Sequence, residues 1–174
     1  MNKLAIALSA ALSLGAAASA NAADATINFS GTITAMTCTI GAGTATGTSV
    51  ALPELTTDSI NSGAANRQTA FDLVMGTASN GCSPGTVKLQ FKNSGTTTDG
   101  MLKNAAATDA ASGVALAIMD AGTALDLTKD TLDATFDASN TTKTWPLVAS
   151  YEKEGTGDVG AGNFSADLVV DVTF

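Results

Sequence analysis

Chemistry in this chain has to be built from a short set of side chains. There are 16 carboxylates, eight lysines and arginines, two cysteines and no histidine. Without histidine, Ser-His-Asp and Cys-His arrangements have no starting point, and neither do histidine-ligated metals. No cluster of glycines follows a strand and opens a helix, so no phosphate cradle is legible. Acids recur at Asp126, Asp130, Asp133 and Asp137. A calcium loop is the sharper reading of that run, but the dense D-x-D-x-D-G spacing and the late glutamate are missing. A solvated loop is therefore the expectation. A pair of carboxylates could also serve glycoside hydrolysis, yet nothing in the spacing brings two of them to one cleft. The sequence points to no enzyme, no cofactor and no metal. A formal net charge of −8 also argues against a nucleic-acid partner, which needs clustered Lys and Arg.

The cysteines are the remaining reactive groups, and their reading depends on the compartment. Lys3 precedes the apolar run "LAIALSAALSLGAAASA", and Ala20, Asn21 and Ala22 fit an A-x-A processing site. This is an export signal over residues 1–22, with cleavage after Ala22 or after Ala20. A membrane anchor is the competing reading, since the run is nearly long enough to span a bilayer. In an exported chain, an even pair of cysteines reads as one disulfide, Cys38 to Cys82. A free thiol or a metal pair is the alternative, and a metal would lack further ligands. Chain entropy assigns a ring of this length roughly 4 kcal/mol.

The elements that carry these residues alternate with period two. "SGTITAMTCTI" is a strand holding Cys38, and "VALPEL" is a short strand that Pro53 confines to an edge. In "TAFDLVM", Phe71 and Leu73 share a face; in "TVKLQFKN", Leu89 and Phe91 do. "GVALAIMD" aligns Leu116 with Ile118, and "KTWPLVASYEK" aligns Trp145, Leu147 and Tyr151. These nine residues are the expected core. "TTDSINSGAANRQ" reads as a polar loop, and "MLKNAAATDAAS" as either a helical turn or an irregular loop. At the end, "NFSADLVVDVTF" keeps Phe164, Leu168, Val170, Val172 and Phe174 in phase to the last residue. About six principal strands between turn residues make one all-β domain, a sandwich or barrel. One further alternating stretch, "ADATINFS", sets Ala25, Ile27 and Phe29 on one face at the very start of the processed chain, with no neighbour in sequence to pair with.

Several of these features occur in a telling order. Gly31 lies seven residues before Cys38, and Cys82 follows just after a strand. "GVALAIMDAGTALDLT" and "WPLVASY" come next, and an aromatic ends the last strand. In this order the chain resembles the structural subunits of chaperone–usher fimbriae of Gram-negative bacteria (pilins), in particular the major subunit type. The resemblance implies an incomplete immunoglobulin-like sandwich lacking its last strand and completed by donor-strand exchange, a mode of strand addition known from pilins. It implies a fimbrium on the cell surface, reached through the periplasm. The implied partners are other copies of the chain, a periplasmic chaperone, an outer-membrane usher and minor or tip subunits. Residues 23–30 would be the N-terminal donor extension, with Ala25, Ile27 and Phe29 inserted, and residues 31–174 the pilin domain. Phe164, Leu168, Val170, Val172 and Phe174 would line the acceptor groove and meet the chaperone. Two departures stand out: eight residues before Gly31 make a short extension, and Phe174 is last where the family usually has its aromatic one residue earlier.

Three other classes fit parts of the pattern. A minor adaptor pilin shares every motif. A small outer-membrane barrel also has a signal peptide, alternating strands and a terminal Phe, but one Trp and one Tyr are too few for aromatic girdles. A self-contained secreted binding module would leave the N-terminal strand without a purpose.

Overall fold

A computed structural model of the chain describes residues 38–42 and 49–174. Nine strands run through them: β1 (Ile40–Ala42), β2 (Gln68–Met75), β3 (Gly85–Phe91), β4 (Leu102–Lys103), β5 (Val114–Asp120), β6 (Thr123–Ala124), β7 (Thr131–Phe136), β8 (Lys143–Lys153) and β9 (Val170–Thr173). They form two antiparallel sheets. One has the order β1-β2-β8-β5-β4, with β6 hairpinned onto β5; the other is β7-β3-β9. Two separate sheets are not the single closed ring of the barrel alternative.

The period-two pattern explains the packing. Along β2 and β8 the register runs from Gln68 opposite Ser150 to Met75 opposite Lys143. Leu73, Trp145, Leu147 and Ala149 therefore face inward together, where Leu116 and Ile118 of β5 join them. From the second sheet, Val87 and Leu89 are completely buried and Phe91 nearly so. The two inner faces share one apolar cluster, as a sandwich requires. The disulfide joins Cys38 to Cys82 with their Cα atoms 4.9 Å apart. It fastens the start of β1 to the turn that leads into β3.

Four expectations need correction. The acid-bearing stretch expected to be a solvated loop contains β7, whose Leu132, Ala134 and Phe136 are buried. Its aspartates masked an alternation that is present in the sequence. "VALPEL" has no strand; the chain runs without regular structure there and then enters α1 (Thr57–Asn61) and a 3₁₀ turn (Ala65–Arg67), within what was expected to be loop. Thr56 starts α1 as a cap, its hydroxyl accepting from Ser59 N–H at 3.3 Å, and Asp58 stands in the first turn where the helix dipole favours a negative charge. The ambiguous alanine-rich stretch opens with β4 and then runs as irregular chain. Finally, "NFSADLVVDVTF" pairs as a strand only over Val170–Thr173. Alternation reports a face that is half buried, whereas pairing needs a neighbour, and β3 reaches only from Lys88 to Phe91 along β9. Beyond that, Asn93 Oδ1 accepts from Val169 N–H at 2.7 Å in place of a ladder bond.

Candidate functional site

The last segment does not close against the rest of the sandwich. Between it and β1 lies a groove of about 650 Å³. One wall is the chain from Phe164 to Val170, with Phe164, Ala166, Leu168 and Val170 half-buried and Ser165, Asp167 and Val169 exposed. The opposite wall is built from Ile40 and Gly41 of β1 and the irregular segment carrying Ser49, Val50 and Leu52. The floor comes from the first sheet, through Phe71, Leu73, Leu116, Ile118, Ala149 and Tyr151, with Leu102 of β4 at the Tyr151 end. Among the described residues Asp167 is the only charged one around it.

Each wall ends in a strand edge. Among the described residues β1 pairs only with β2, and β9 only with β3. The groove thus has strand edges at Ile40 and Gly41 on one wall and at Val170 on the other, flanking an apolar floor. An open strand edge is a template for another strand, and apolar surface left in a concave site gains most from being covered. Phe71 shows the consequence: it sits on the inner face of β2, in register with buried Leu147, yet is only half-buried because it looks into the groove. Tyr151 is 8% exposed, and its ring meets Phe164 edge-on at 5.1 Å and 87°. Burial pushes the Tyr151 phenol above its ordinary value of 10.

The residues singled out in the sequence fall as follows. Phe164, Leu168 and Val170 line the groove, as do Phe71, Leu73, Leu116, Ile118 and Tyr151. Val172 packs against the core beyond the groove's end. Phe174 is 59% exposed and does not line it. Leu89, Phe91, Trp145 and Leu147 are buried in the core. Ala25, Ile27 and Phe29 lie outside the described residues. Sequence reading missed Ile40, Val50, Leu52 and Leu102 as groove residues. The first three were legible only as parts of short strands, and Leu102 stands alone at the head of an alanine-rich run.

The four aspartates of the calcium-loop reading do not converge. The Asp126 carboxylate accepts from Thr128 N–H and Oγ1–H and pairs with Lys129 Nζ at 2.8 Å, while Asp130 Oδ2 accepts from Asp126 N–H. Asp133 faces Lys88 across the outer surface of the second sheet, and Asp137 caps the turn to Asn140. Lys129 and Thr128 hold the Asp126 carboxyl at about 2, below its ordinary 3.8.

A family model described as fimbrial protein matches residues 27–174. Among solved structures, the chain is similar to a subunit of a chaperone–usher pilus studied for rod uncoiling, with a TM-score of 0.57 at 18% identity over 87% of this chain and 96% of that one. It is equally similar to the P pilus rod subunit PapA, with a TM-score of 0.57 at 19% identity over 86% of this chain and 99% of that one. At such identities the likeness carries the fold. No curated protein sequence matches the chain.

Proposed function

Because the chain belongs to the fimbrial protein family, we propose that it is a structural subunit whose groove accepts the N-terminal segment of another copy, and that repetition of this joint builds a surface fimbrium. The observation that carries the reading is the groove itself: strand-sized, apolar, and bounded by a strand edge on each wall. The occupant is residues 23–30, with Ala25, Ile27 and Phe29 directed inward. On the sequence reading of "SGTITAMTCTI" as a strand, residues 23–30 would run into it with almost no connection, so the strand is donated to a neighbour. A head-to-tail contact of this kind that does not close on itself makes a filament.

Burial of Ile27 and Phe29 contributes roughly 1.5–3 kcal/mol each, and about five new backbone hydrogen bonds roughly 0.5–1.5 kcal/mol apiece. Before assembly the same groove leaves core side chains uncovered. A periplasmic chaperone that lends a strand, an outer-membrane usher that exchanges it, and minor or tip subunits at the fibre's end complete this reading. Residues 1–22 direct export, residues 31–174 form the accepting domain, and the role is structural rather than enzymatic.

Phe29→Asp, or deletion of residues 23–30, tests the assignment. The variant is expected to be exported and to accept a strand, yet to form no fibres by electron microscopy. Normal fibres from either variant would refute the donor assignment.

A further inference from the structure

The start of the segment that forms the groove wall, residues 163–165, is held by backbone bonds and by one side chain outside it. Residues 163–165 precede β9 and lie outside its ladder; an isolated bridge joins Asn163 to Ala110, and Ala111 N–H donates to Asn163 O at 2.9 Å. Beside these stands Asn104, directly after β4. Its Nδ2 donates to Asn163 O at 2.8 Å and to Ala111 O at 2.9 Å. Its Oδ1 accepts from Ser165 N–H at 3.1 Å and Ala106 N–H at 3.0 Å. A primary amide has two N–H donors and two lone pairs, and all four are engaged. Two of the four bracket Phe164, taking the carbonyl before it and the amide after it. Ala105 N–H adds a bond to Ser165 O at 2.7 Å, and Asn163 N–H donates to Asp109 O at 2.6 Å.

This approach is close. At Gly162, with φ +156°, a Cβ would collide with Asp109 O and Ala111 N, so only glycine lets the two backbones meet. The ring of Phe164, fixed at both flanks, lies edge-on against Tyr151 at one end of the groove. An amide that merely tied down the loop would have no need to grip both sides of a groove residue.

We propose that Asn104 is a positioning residue of the groove: it holds Phe164 against Tyr151 and so fixes the seat for the inward side chain of the incoming strand at that end. This rests on the strand-accepting reading of the groove. The occupant remains a second copy of this chain, and Asn104 acts on it only through Phe164.

Tyr151 is the only tyrosine, which gives a direct readout. The full chain is labelled with 3-fluorotyrosine, and its single fluorine resonance is followed in Asn104→Ala, Asn104→Asp and Phe164→Ala. Asn104→Asp keeps the two accepted bonds and loses the two donated ones, so it serves if the alanine variant does not fold. In parallel, the rate at which fibres dissociate in warm detergent is measured. The resonance should move toward the position of exposed tyrosine in both Asn104 variants. Dissociation of Asn104→Ala fibres should accelerate about tenfold, the equivalent of one or two net hydrogen bonds. Combining Asn104→Ala with Phe164→Ala should add nothing to Phe164→Ala alone, because the first acts through the second. An unmoved resonance, or effects that multiply in the double variant, would overturn the proposal. Leu168→Asp separates this from the groove reading. If Leu168→Asp fibres form normally, the strand-accepting reading has failed; if that variant blocks fibres while Asn104 variants dissociate like wild type, the Asn104 inference alone has.

Discussion

Leu168 and Val169 are neighbours along the segment that forms the groove wall, and truncating each to alanine should have very different consequences. Leu168 is half-buried and lines the groove, whereas Val169 is 47% exposed on the other face. Leu168→Ala removes three carbons, each worth about 0.8 kcal/mol when fully buried, or about 2.4 kcal/mol in all. In the unfilled groove about two thirds of that burial is already realised, so the subunit alone should lose about 1.6 kcal/mol. The remaining third is realised only when a strand covers the side chain, and the joint between subunits should weaken by about 0.8 kcal/mol, close to fourfold in its equilibrium constant. Val169→Ala changes little on either count, since an exposed side chain away from any special feature contributes within about 0.5 kcal/mol. The assay pairs two measurements: urea unfolding of the unassembled subunit, and the fraction of fibre surviving a temperature series in detergent. The expected signature is fibre weakening by Leu168→Ala beyond its effect on the subunit. Equal fibre effects from both substitutions, or a Leu168→Ala effect confined to the subunit, would refute the inward assignment of this wall.

Three further outcomes follow from the fold. Replacing Cys38 and Cys82 together by alanine should cost about 4 kcal/mol of stability, read as a lowered urea midpoint; a loss under about 1 kcal/mol would show that the loop is constrained by other means. Gly76→Ala should destabilise strongly, because Gly76 has φ +75° and a Cβ there would stand 2.5 Å from Thr141 O beside the disulfide; a melting temperature equal to wild type would contradict that packing. For Asp126 the sign is set by a folded-state value of about 2 against an ordinary 3.8. Its contribution is therefore complete above about pH 4 and lost as pH falls through about 2, so Asp126→Asn should flatten the acid dependence of the melting temperature in that window, and an unchanged slope would exclude the Lys129 and Thr128 contacts as its source.

How far the sequence reveals the molecule varies by element. β2, β3 and β8 announce themselves because large apolar side chains recur with period two over seven or more residues, and β5 because large apolar residues alternate with alanine. β7 does not, because Asp130, Asp133 and Asp137 around it drew attention as a cluster while Leu132, Ala134 and Phe136 carried the burial. The short α1 is a capping effect at Thr56 rather than a periodic one, and a five-residue helix that fully buries nothing leaves no apolar stripe to detect. In the groove, Phe164, Leu168 and Val170 were legible because the last segment alternates. The opposite wall was not, since its position depends on which strand edge faces the last segment, and that is settled by sheet order. Asn104 was invisible for the same reason: its partners at Asn163 and Ser165 lie 59 and 61 residues away, and nothing local distinguishes it from any loop asparagine.

The short N-terminal extension can be weighed against the groove it would fill. The wall from Phe164 to Val170 advances six residue steps, about 20 Å for extended chain, and eight residues reach about 26 Å. Residues 23–30 are thus long enough to run the length of the wall. In the proposed joint, Ala25, Ile27 and Phe29 would each settle between neighbours in the half-buried row of Phe164, Ala166, Leu168 and Val170. Such a joint is modest in equilibrium terms once the cost of association, roughly 4–15 kcal/mol, is set against it. Its persistence then depends on the path of dissociation, which strips Phe71, Tyr151 and Leu168 of cover before anything replaces it. A contact that completes a core leaves at the rate at which that core opens, and unfolding rates at ordinary temperature are slow enough for a fibre built this way to outlast its own modest affinity.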